Sequence, residues 1–207
     1  MQKTEICLVR HGETPWNKET RLQGSQDIAL SPLGILQAKT VAERLRNESW
    51  HAIYSSDLTR AYDTAKYIRS AVGLSIPHHV DKRLRERHYG TLEGMTRAEI
   101  LQLYPDFHLP DDEVVIPGVE THADLRQRVY QAIHEVATLH RGKRIIIVSH
   151  GGSIHAFLYK ITGRLPERIG NTAITRITWE DGKWYTHSIN DTSHLENMEI
   201  PSTQRDR

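Results

Sequence analysis

The chain has little of the material that several protein classes require. A single cysteine, Cys7, occurs among its 207 residues, so an intramolecular disulfide framework is excluded and a thiolate metal site is not expected. No apolar stretch approaches the roughly 18 residues of a membrane span, and the N-terminal segment mixes polar with charged side chains. We therefore expect a cytoplasmic protein that has neither a leader peptide nor a membrane partner.

An excess of charge of one sign is also lacking. The 27 lysines and arginines balance 26 aspartates and glutamates, which gives a formal net charge of +1. Such a balance provides no general attraction to nucleic acid or to a membrane surface, so neither is expected as a partner. Any site for an anion has to come from a local cluster of cationic side chains.

Three motifs of other chemistries are missing. The 13 histidines include no His-Glu-x-x-His pattern, and the adjacent His78 and His79 would point to opposite faces of a strand. No Gly-x-x-x-x-Gly-Lys-Ser/Thr loop is present, and Gly151-Gly152-Ser153 lacks the Gly-x-Ser-x-Gly spacing of a hydrolase elbow. The sequence therefore supports no metal site, no triphosphate loop and no serine nucleophile.

Apolar runs and helical patterns alternate along the chain. The apolar runs predict strands at 6–9, 52–55, 143–148, 173–179 and 184–189, the last two joined by the hairpin dipeptide Asp181-Gly182. Caps and three-to-four spacing predict helices opening at Ser31-Pro32, at Asp57 as N-cap, at Thr96 with Glu99 as a capping box, and at 121 and 152. This alternation predicts an α/β fold with a mainly parallel sheet covered on both faces.

Arginine and histidine side chains follow two of these strands. Arg10 and His11 come directly after the first, and His150 follows the strand at 143–148. Ligands of parallel sheets bind beyond the carboxyl ends of the strands, so these residues are predicted to share one site. Histidine can attack phosphorus, Arg10 and Arg60 can bind phosphate through paired hydrogen bonds, and Glu86 can move a proton. Taken singly, each residue also fits an ordinary structural role, and only the joint pattern favours a phosphate site.

Five motifs in the same order resemble the histidine phosphatase superfamily, also called the phosphoglycerate mutase-like family. They are Leu8-Val9-Arg10-His11-Gly12-Glu13-Thr14-Pro15-Trp16-Asn17 with Gln23-Gly24, Leu30-Ser31-Pro32-Leu33-Gly34, Tyr54-Ser55-Ser56-Asp57-Leu58-Thr59-Arg60-Ala61, Leu84-Arg85-Glu86-Arg87-His88-Tyr89-Gly90, and Val148-Ser149-His150-Gly151-Gly152. The resemblance covers about residues 4–195 and is most similar to the small bacterial phosphatase branch.

The resemblance implies a three-layer α/β/α sandwich, a small phosphorylated substrate and, for phosphatase members, neither a metal nor an organic cofactor. It implies that His11 becomes a transient phosphohistidine and that Glu86 acts as general acid and then as base. The remaining implied site residues, which bind the phosphate or the rest of the substrate, are Arg10, Arg60, His150, Asn17, Gln23, Gly24, Arg87, Tyr89 and Gly151. His194, near the C-terminus, is expected to approach the pocket.

Two enzyme classes share these motifs. Glu86-Arg87-His88-Tyr89-Gly90 is similar to the version found in mutases, which supports a small phosphorylated acid as substrate. The stretch after Gly94 is short, however, and carries Asp106, Asp111, Asp112 and Glu113, which should repel a second phosphate. This favours a phosphatase. A 2,3-bisphosphoglycerate-dependent phosphoglycerate mutase, an α-ribazole phosphatase-like specificity and a catalytically inactive phospho-ligand-binding protein remain as alternatives.

The chain is expected to form one domain over residues 1–207. An insertion at about 91–120 is predicted to act as a lid over the site, and the polar tail after residue 195 is predicted to be loose. The C-terminal hairpin offers a strand edge through which a homodimer could form.

Overall fold

Strands and helices alternate as far as residue 162, and a β-hairpin follows. The computed structural model describes residues 3–105, 116–164, 166, 168–196 and 198. The strands are β1 (Thr4–Arg10), β2 (Ala52–Ser55), β3 (His78–Val80), β4 (Arg144–Ser149), β5 (Ile174–Glu180) and β6 (Lys183–Asp191). The α-helices are α1 (Pro15–Lys18), α2 (Pro32–Leu45), α3 (Thr59–Val72), α4 (Arg97–Leu103), α5 (His122–Leu139) and α6 (Gly151–Thr162), and short 3₁₀ helices lie at Lys82–Leu84, Gly90–Leu92 and Ser193–Leu195.

The described strands form one sheet in the order β3-β2-β4-β1-β5-β6. Strands β1 to β4 are parallel to one another, whereas β5 runs antiparallel to both of its neighbours, β1 and β6. The last residues of β1 and β4, Arg10 and Ser149, are partners in the parallel register. His11 and His150 therefore leave the sheet side by side, as the sequence predicts.

Each face of the sheet buries its own apolar cluster. Ile6 and Leu8 of β1 pack with α5 and α6, while the alternate residues Cys7 and Val9 pack with α2 and α3. The uninterrupted apolar run of β1 follows from this burial on both faces, because successive side chains of a strand point in opposite directions. The predicted three-layer α/β/α sandwich with a mainly parallel sheet is confirmed.

Local capping signals set several helix ends. Ser31 accepts a hydrogen bond from the amide of Gly34 at 3.0 Å, with proline in the first turn of α2. Thr96 and Glu99 form the predicted capping box of α4. Each of these signals lies within four residues of the helix end that it specifies, so the sequence alone could reveal it.

The prediction that Asp57 caps α3 is wrong. The N-cap residue is Leu58, which makes no side-chain cap bond, and the amide of Thr59 donates to Asp27 at 2.7 Å instead. The carboxylate of Asp57 accepts two hydrogen bonds from Arg85, at 2.7 and 2.6 Å. A two-point ion pair with a guanidinium is stronger than a single bond from a helix amide, and it draws the carboxylate away from the helix. Strand β3 is not among the strands that the apolar runs predict.

A third apolar cluster lies in and beside the region predicted to be a lid. Tyr89, Leu92, Ile100 and Ile116 are buried in it. The predicted lid is described at 91–105 and 116–120. The acidic residues Asp106, Asp111, Asp112 and Glu113 lie outside the described residues, as does the tail after 195 apart from residues 196 and 198. Among the described helices, none has the length and apolar composition of a membrane span.

Candidate active site

Two histidine rings lie together at the point where β1 and β4 end. The ring centroids of His11 and His150 are 5.1 Å apart. His11 is held against β4 by a hydrogen bond from its amide to the carbonyl of Ser149, at 3.0 Å. Both histidines are buried, with exposures of 2% and 0%. The sheet topology thus positions two imidazoles in one buried site.

The hydrogen bond of His11 defines its reactive nitrogen. Its Nδ1 lies 2.6 Å from the carbonyl oxygen of Gly12. Because a carbonyl can only accept, Nδ1 carries the proton and the neutral ring presents the lone pair of Nε2. Burial, followed by the positive charges of Arg60 and Arg10, holds the pKa of His11 well below its ordinary value. The ring is therefore neutral at pH 7 and has a nucleophilic nitrogen.

His150 has the opposite tautomer. Its Nδ1 accepts a hydrogen bond from Nε of Arg60 at 3.2 Å, so the proton of the neutral ring sits on Nε2. That buried Nε2 has no hydrogen-bond partner among the described residues. Burial, with the charge of Arg60 next, lowers the pKa of His150 well below its ordinary value. One imidazole thus offers a lone pair, and the other offers an N–H donor.

Two buried guanidiniums flank the rings. Arg60, fully buried, donates to the carbonyls of Gly24 at 2.8 Å and Gln26 at 2.6 Å. Arg10 donates to the carbonyl of Ile169 at 2.6 Å, and its buried Nε has no partner in the described part of the chain. Burial lowers the pKa of each guanidinium to about 10, so both remain charged at pH 7. Two buried positive charges are costly unless anions balance them, and a bound phosphate dianion would offset that cost.

Glu86 contributes a carboxylate to the same place. One of its oxygens accepts the amide of Arg87 at 2.8 Å, and the other accepts the amide of Gly152 at 2.9 Å. A Cβ atom built on Gly152 would lie 2.5 Å from Oε1 of Glu86, so a glycine is required for this approach. The negative charge of Glu86 acts on both Arg10 and Arg60, which places the carboxylate beside the two cations.

The predicted residues Asn17 and Gln23 surround the turn after His11. Gln23 accepts the hydroxyl of Thr14 at 2.9 Å, and Asn17 accepts the amide of Thr14 at 3.1 Å. The amide nitrogen of Asn171 joins Asn17 to the carbonyl of His11, at 3.3 and 3.1 Å. These contacts hold the shape of the turn that follows His11.

Arg87 and Tyr89 lie together, following Glu86 in the chain. The guanidinium of Arg87 lies 5.5 Å from the centre of the Tyr89 ring, donates to the carbonyl of Glu120 at 2.7 Å and contacts the ring of His122. Gly151 opens α6 beside Arg10, since a Cβ built on it would lie 3.3 Å from Nε of Arg10.

His194 is linked to this region through another residue. It bonds the hydroxyl of Thr172 at 3.2 Å, and the amide of Thr172 donates to the carbonyl of His11 at 3.3 Å. His194 therefore contacts Thr172, the residue that supports the turn after His11.

Glu93, a residue to which the sequence motifs give no role, supports the site from outside it. The side chain of Glu93 is 3% exposed, and its carboxylate accepts the amide of Ser25 at 2.8 Å, the side chain of Gln26 at 2.9 Å and the amide of Tyr89 at 3.1 Å. Gly24 has a φ of +54°, and a Cβ there would lie 2.1 Å from the same carboxylate. Glu93 therefore ties the loop that holds Arg60 to the region predicted to be a lid.

No group of three or more metal-ligating side chains occurs among the residues that the structure describes.

Comparison with known proteins gives a match to the model of the histidine phosphatase superfamily (branch 1) over residues 6–192. The chain belongs to this superfamily. The match spans the strands, both histidines and Glu86, so the resemblance inferred from the motifs is confirmed.

Relatives that are named for different activities resemble this chain. An uncharacterized phosphatase, PhoE, of Bacillus subtilis (strain 168) is 37% identical over 196 residues, which is 93% of this chain and 97% of PhoE. A probable phosphoglycerate mutase, GpmB, of Yersinia pestis (strain Pestoides F) is 34% identical over 97% of this chain and 99% of GpmB. The solved phosphoserine phosphatase of Entamoeba histolytica in complex with 3-phosphoglyceric acid has a TM-score of 0.82 and 32% identity, covering 93% of this chain and 99% of that one.

Proposed function

We propose that this protein is a metal-independent phosphatase that hydrolyses small phosphomonoesters through a phosphohistidine at His11. The observation that carries the proposal is the pair of complementary tautomers at the strand ends. His11 presents a buried lone pair, while His150 and Arg10 present buried N–H donors that have no partner among the described residues. A phosphoryl group needs such a nucleophile and such donors to its oxygens.

In the first step, Nε2 of His11 attacks phosphorus and the bond from phosphorus to the ester oxygen breaks. The electron pair of that bond goes to the leaving oxygen, which takes a proton from Glu86. Arg10, Arg60 and His150 donate to the other phosphoryl oxygens and offset their charge as the transfer proceeds. The products are the alcohol and a phosphohistidine.

In the second step, water attacks the phosphohistidine and gives a proton to the carboxylate of Glu86. The bond from phosphorus to Nε2 breaks, and its electron pair returns to the ring of His11. Inorganic phosphate leaves, while His11 is neutral and Glu86 carries the proton that the next cycle needs. Asn17, Gln23 and Gly24 hold the turn and the loop that orient His11 and Arg60.

We propose small phosphorylated acids as the substrate class. Gly151 borders the phosphate site, and the guanidinium of Arg87 beside Tyr89 supplies a cation for a second anionic group. The Entamoeba histolytica relative is a phosphoserine phosphatase that was solved with 3-phosphoglyceric acid, which supports this class. The resemblance to GpmB keeps a phosphoglycerate mutase as the second candidate.

We place the enzyme in the cytoplasm as a single domain over residues 1–207, with residues 91–120 as its lid. The lone buried Cys7 fits a compartment where disulfides do not form. The edge strand β6 exposes Tyr185 and Ile189, which supports the expectation of a homodimer through the C-terminal hairpin. The molecular mass in solution, measured by light scattering, tests this assembly.

Phosphorus NMR of the protein incubated with 3-phosphoglycerate tests the reaction class. The reaction is run without added metal and is followed with and without catalytic 2,3-bisphosphoglycerate. A phosphatase accumulates inorganic phosphate in both conditions. Conversion to 2-phosphoglycerate that depends on the bisphosphate would instead make the protein a mutase.

A further inference from the structure

The segment that carries Glu86 lies between two short 3₁₀ helices and belongs to no strand or α-helix. Its carbonyls therefore lack the regular partners that secondary structure supplies and need bonds from elsewhere. Ser149 donates to the carbonyl of Leu84 and Ser153 to that of Arg85, both at 2.7 Å. Glu86 thus sits on a loop whose position depends on side chains from distant elements.

Arg128 of α5 makes three bonds to this loop and to the 3₁₀ helix that precedes it. Its Nη1 donates to the carbonyls of Arg83 at 2.8 Å and Arg85 at 2.7 Å, and its Nη2 donates to the carbonyl of Glu86 itself at 2.9 Å. A guanidinium carries five donors on three nitrogens in a fixed plane, so it can bond these three carbonyls and still pair with a carboxylate. The backbone on both sides of the Glu86 Cα is therefore held from α5.

Glu120 in turn holds the guanidinium. Its carboxylate accepts Nη2 of Arg128 at 2.7 Å and Nε through the other oxygen, which is a two-point pair. The same carboxylate accepts the amide of His88 at 3.1 Å. Arg128 and Glu120 together bond the loop from Arg83 to His88 on either side of Glu86.

We propose that Arg128, fixed by Glu120, is the positioning residue for the proton-transfer carboxylate of Glu86. It bonds the backbone of Glu86, and its effect on the reaction passes through the place where that carboxylate is held. This inference rests on the proposed function, since it assumes that Glu86 protonates the leaving group. A displacement of about 1 Å in a catalytic group can cost about 100-fold in rate.

The test is a double-mutant cycle of Arg128→Met and Glu86→Gln, read with two substrates. An alkyl phosphomonoester such as glycerol 2-phosphate needs an acid for its leaving group, whereas p-nitrophenyl phosphate needs little help. The rate of P–O cleavage is measured in single turnovers, so that hydrolysis of the phosphoenzyme does not enter. We expect Arg128→Met to slow the alkyl ester by about 10- to 100-fold and the aryl ester by less than about 3-fold.

In the Glu86→Gln background, Arg128→Met should add less than about 3-fold, because the proton that it helps to place is gone. Arg128→Lys keeps the positive charge but carries all of its donors on one nitrogen, so it should keep only part of these bonds and fall between the wild type and Arg128→Met. Equal losses on both substrates, or the same loss with and without Glu86, would mean that Arg128 only supports the fold and would overturn the proposal.

Arg126→Met is the matched control. Arg126 lies on the same helix, and its guanidinium is 5.2 Å from the centre of the Tyr159 ring. The variant should leave the ratio of the alkyl-ester rate to the aryl-ester rate unchanged. Thermal unfolding is followed for every variant; where Arg128→Met does not fold, Arg128→Lys and Glu120→Gln carry the same cycle. If Glu86→Gln alone slows both substrates equally, the acid role of Glu86 fails, which is distinct from a failure confined to Arg128.

Discussion

The replacement of Gly152 by alanine separates catalysis from stability in this site. An alanine Cβ would lie 2.5 Å from Oε1 of Glu86, whereas ordinary contact begins at 3.4 Å, so the carboxylate must move by about 0.9 Å. A misplacement of that size in a catalytic group costs about 100-fold in rate. Alanine favours a helix over glycine by about 1 kcal/mol, which offsets part of a weakened amide-to-carboxylate bond worth about 1.5–3 kcal/mol. We expect the unfolding free energy to change by less than about 2 kcal/mol.

The assay compares kcat for an alkyl phosphomonoester with the midpoint of urea unfolding. Gly152→Ala should lose about 100-fold in kcat while remaining folded. Gly151→Ala should lose less, because its Cβ would lie 3.3 Å from Nε of Arg10 and that side chain need yield only slightly. Lys160→Ala, an exposed change on the same helix, should keep the wild-type rate. Wild-type kcat for a folded Gly152→Ala variant would refute the placement of Glu86 as the proton donor.

Two further changes test the charges around the site. Because the folded pKa of His11 lies well below that of the unfolded chain, the unfolded state takes up a proton that the folded state does not as the pH falls below 6.5. The unfolding free energy then falls on acidification by up to about 1.4 kcal/mol per pH unit. In the His11→Gln variant, the unfolding free energy measured in urea should fall less steeply with pH by that amount. An unchanged dependence on pH would contradict a neutral His11. Glu93→Gln should reduce the unfolding free energy by about 1.5–3 kcal/mol and raise the KM for phosphomonoesters, because the loop that holds Arg60 loses its charged acceptor. The exposed Glu99→Gln is its control, and equal effects of the two changes on KM would count against the role of Glu93.

The sequence was sufficient where the cause of a structure is local or repeats along the chain. The apolar run before Arg10 and His11 and the run before His150 place these residues at strand ends, and parallel pairing then brings the ends together. Ser31 and Thr96 mark helix starts through bonds that reach only three residues. These signals do not depend on how the helix or strand packs against the rest of the fold.

The parts that the sequence could not provide depend on contacts between distant residues. Asp57 has the position of a cap, but a guanidinium 28 residues away binds it more strongly. Arg128 is one of several charged residues on α5, and nothing in its spacing shows that it bonds carbonyls 42 to 45 residues earlier. The three-residue strand β3, with two histidines, has too few residues for an alternating pattern to be visible.

The central claim is that phosphate is transferred to His11. Rapid mixing with a phosphomonoester labelled at phosphorus, followed by quenching in alkali and peptide mapping, tests it most directly. The account predicts that the label is found on His11 in a bond stable to alkali and broken by acid, and that the His11→Ala variant neither carries the label nor turns over. Label on another residue, or turnover at the wild-type rate in His11→Ala, would contradict it.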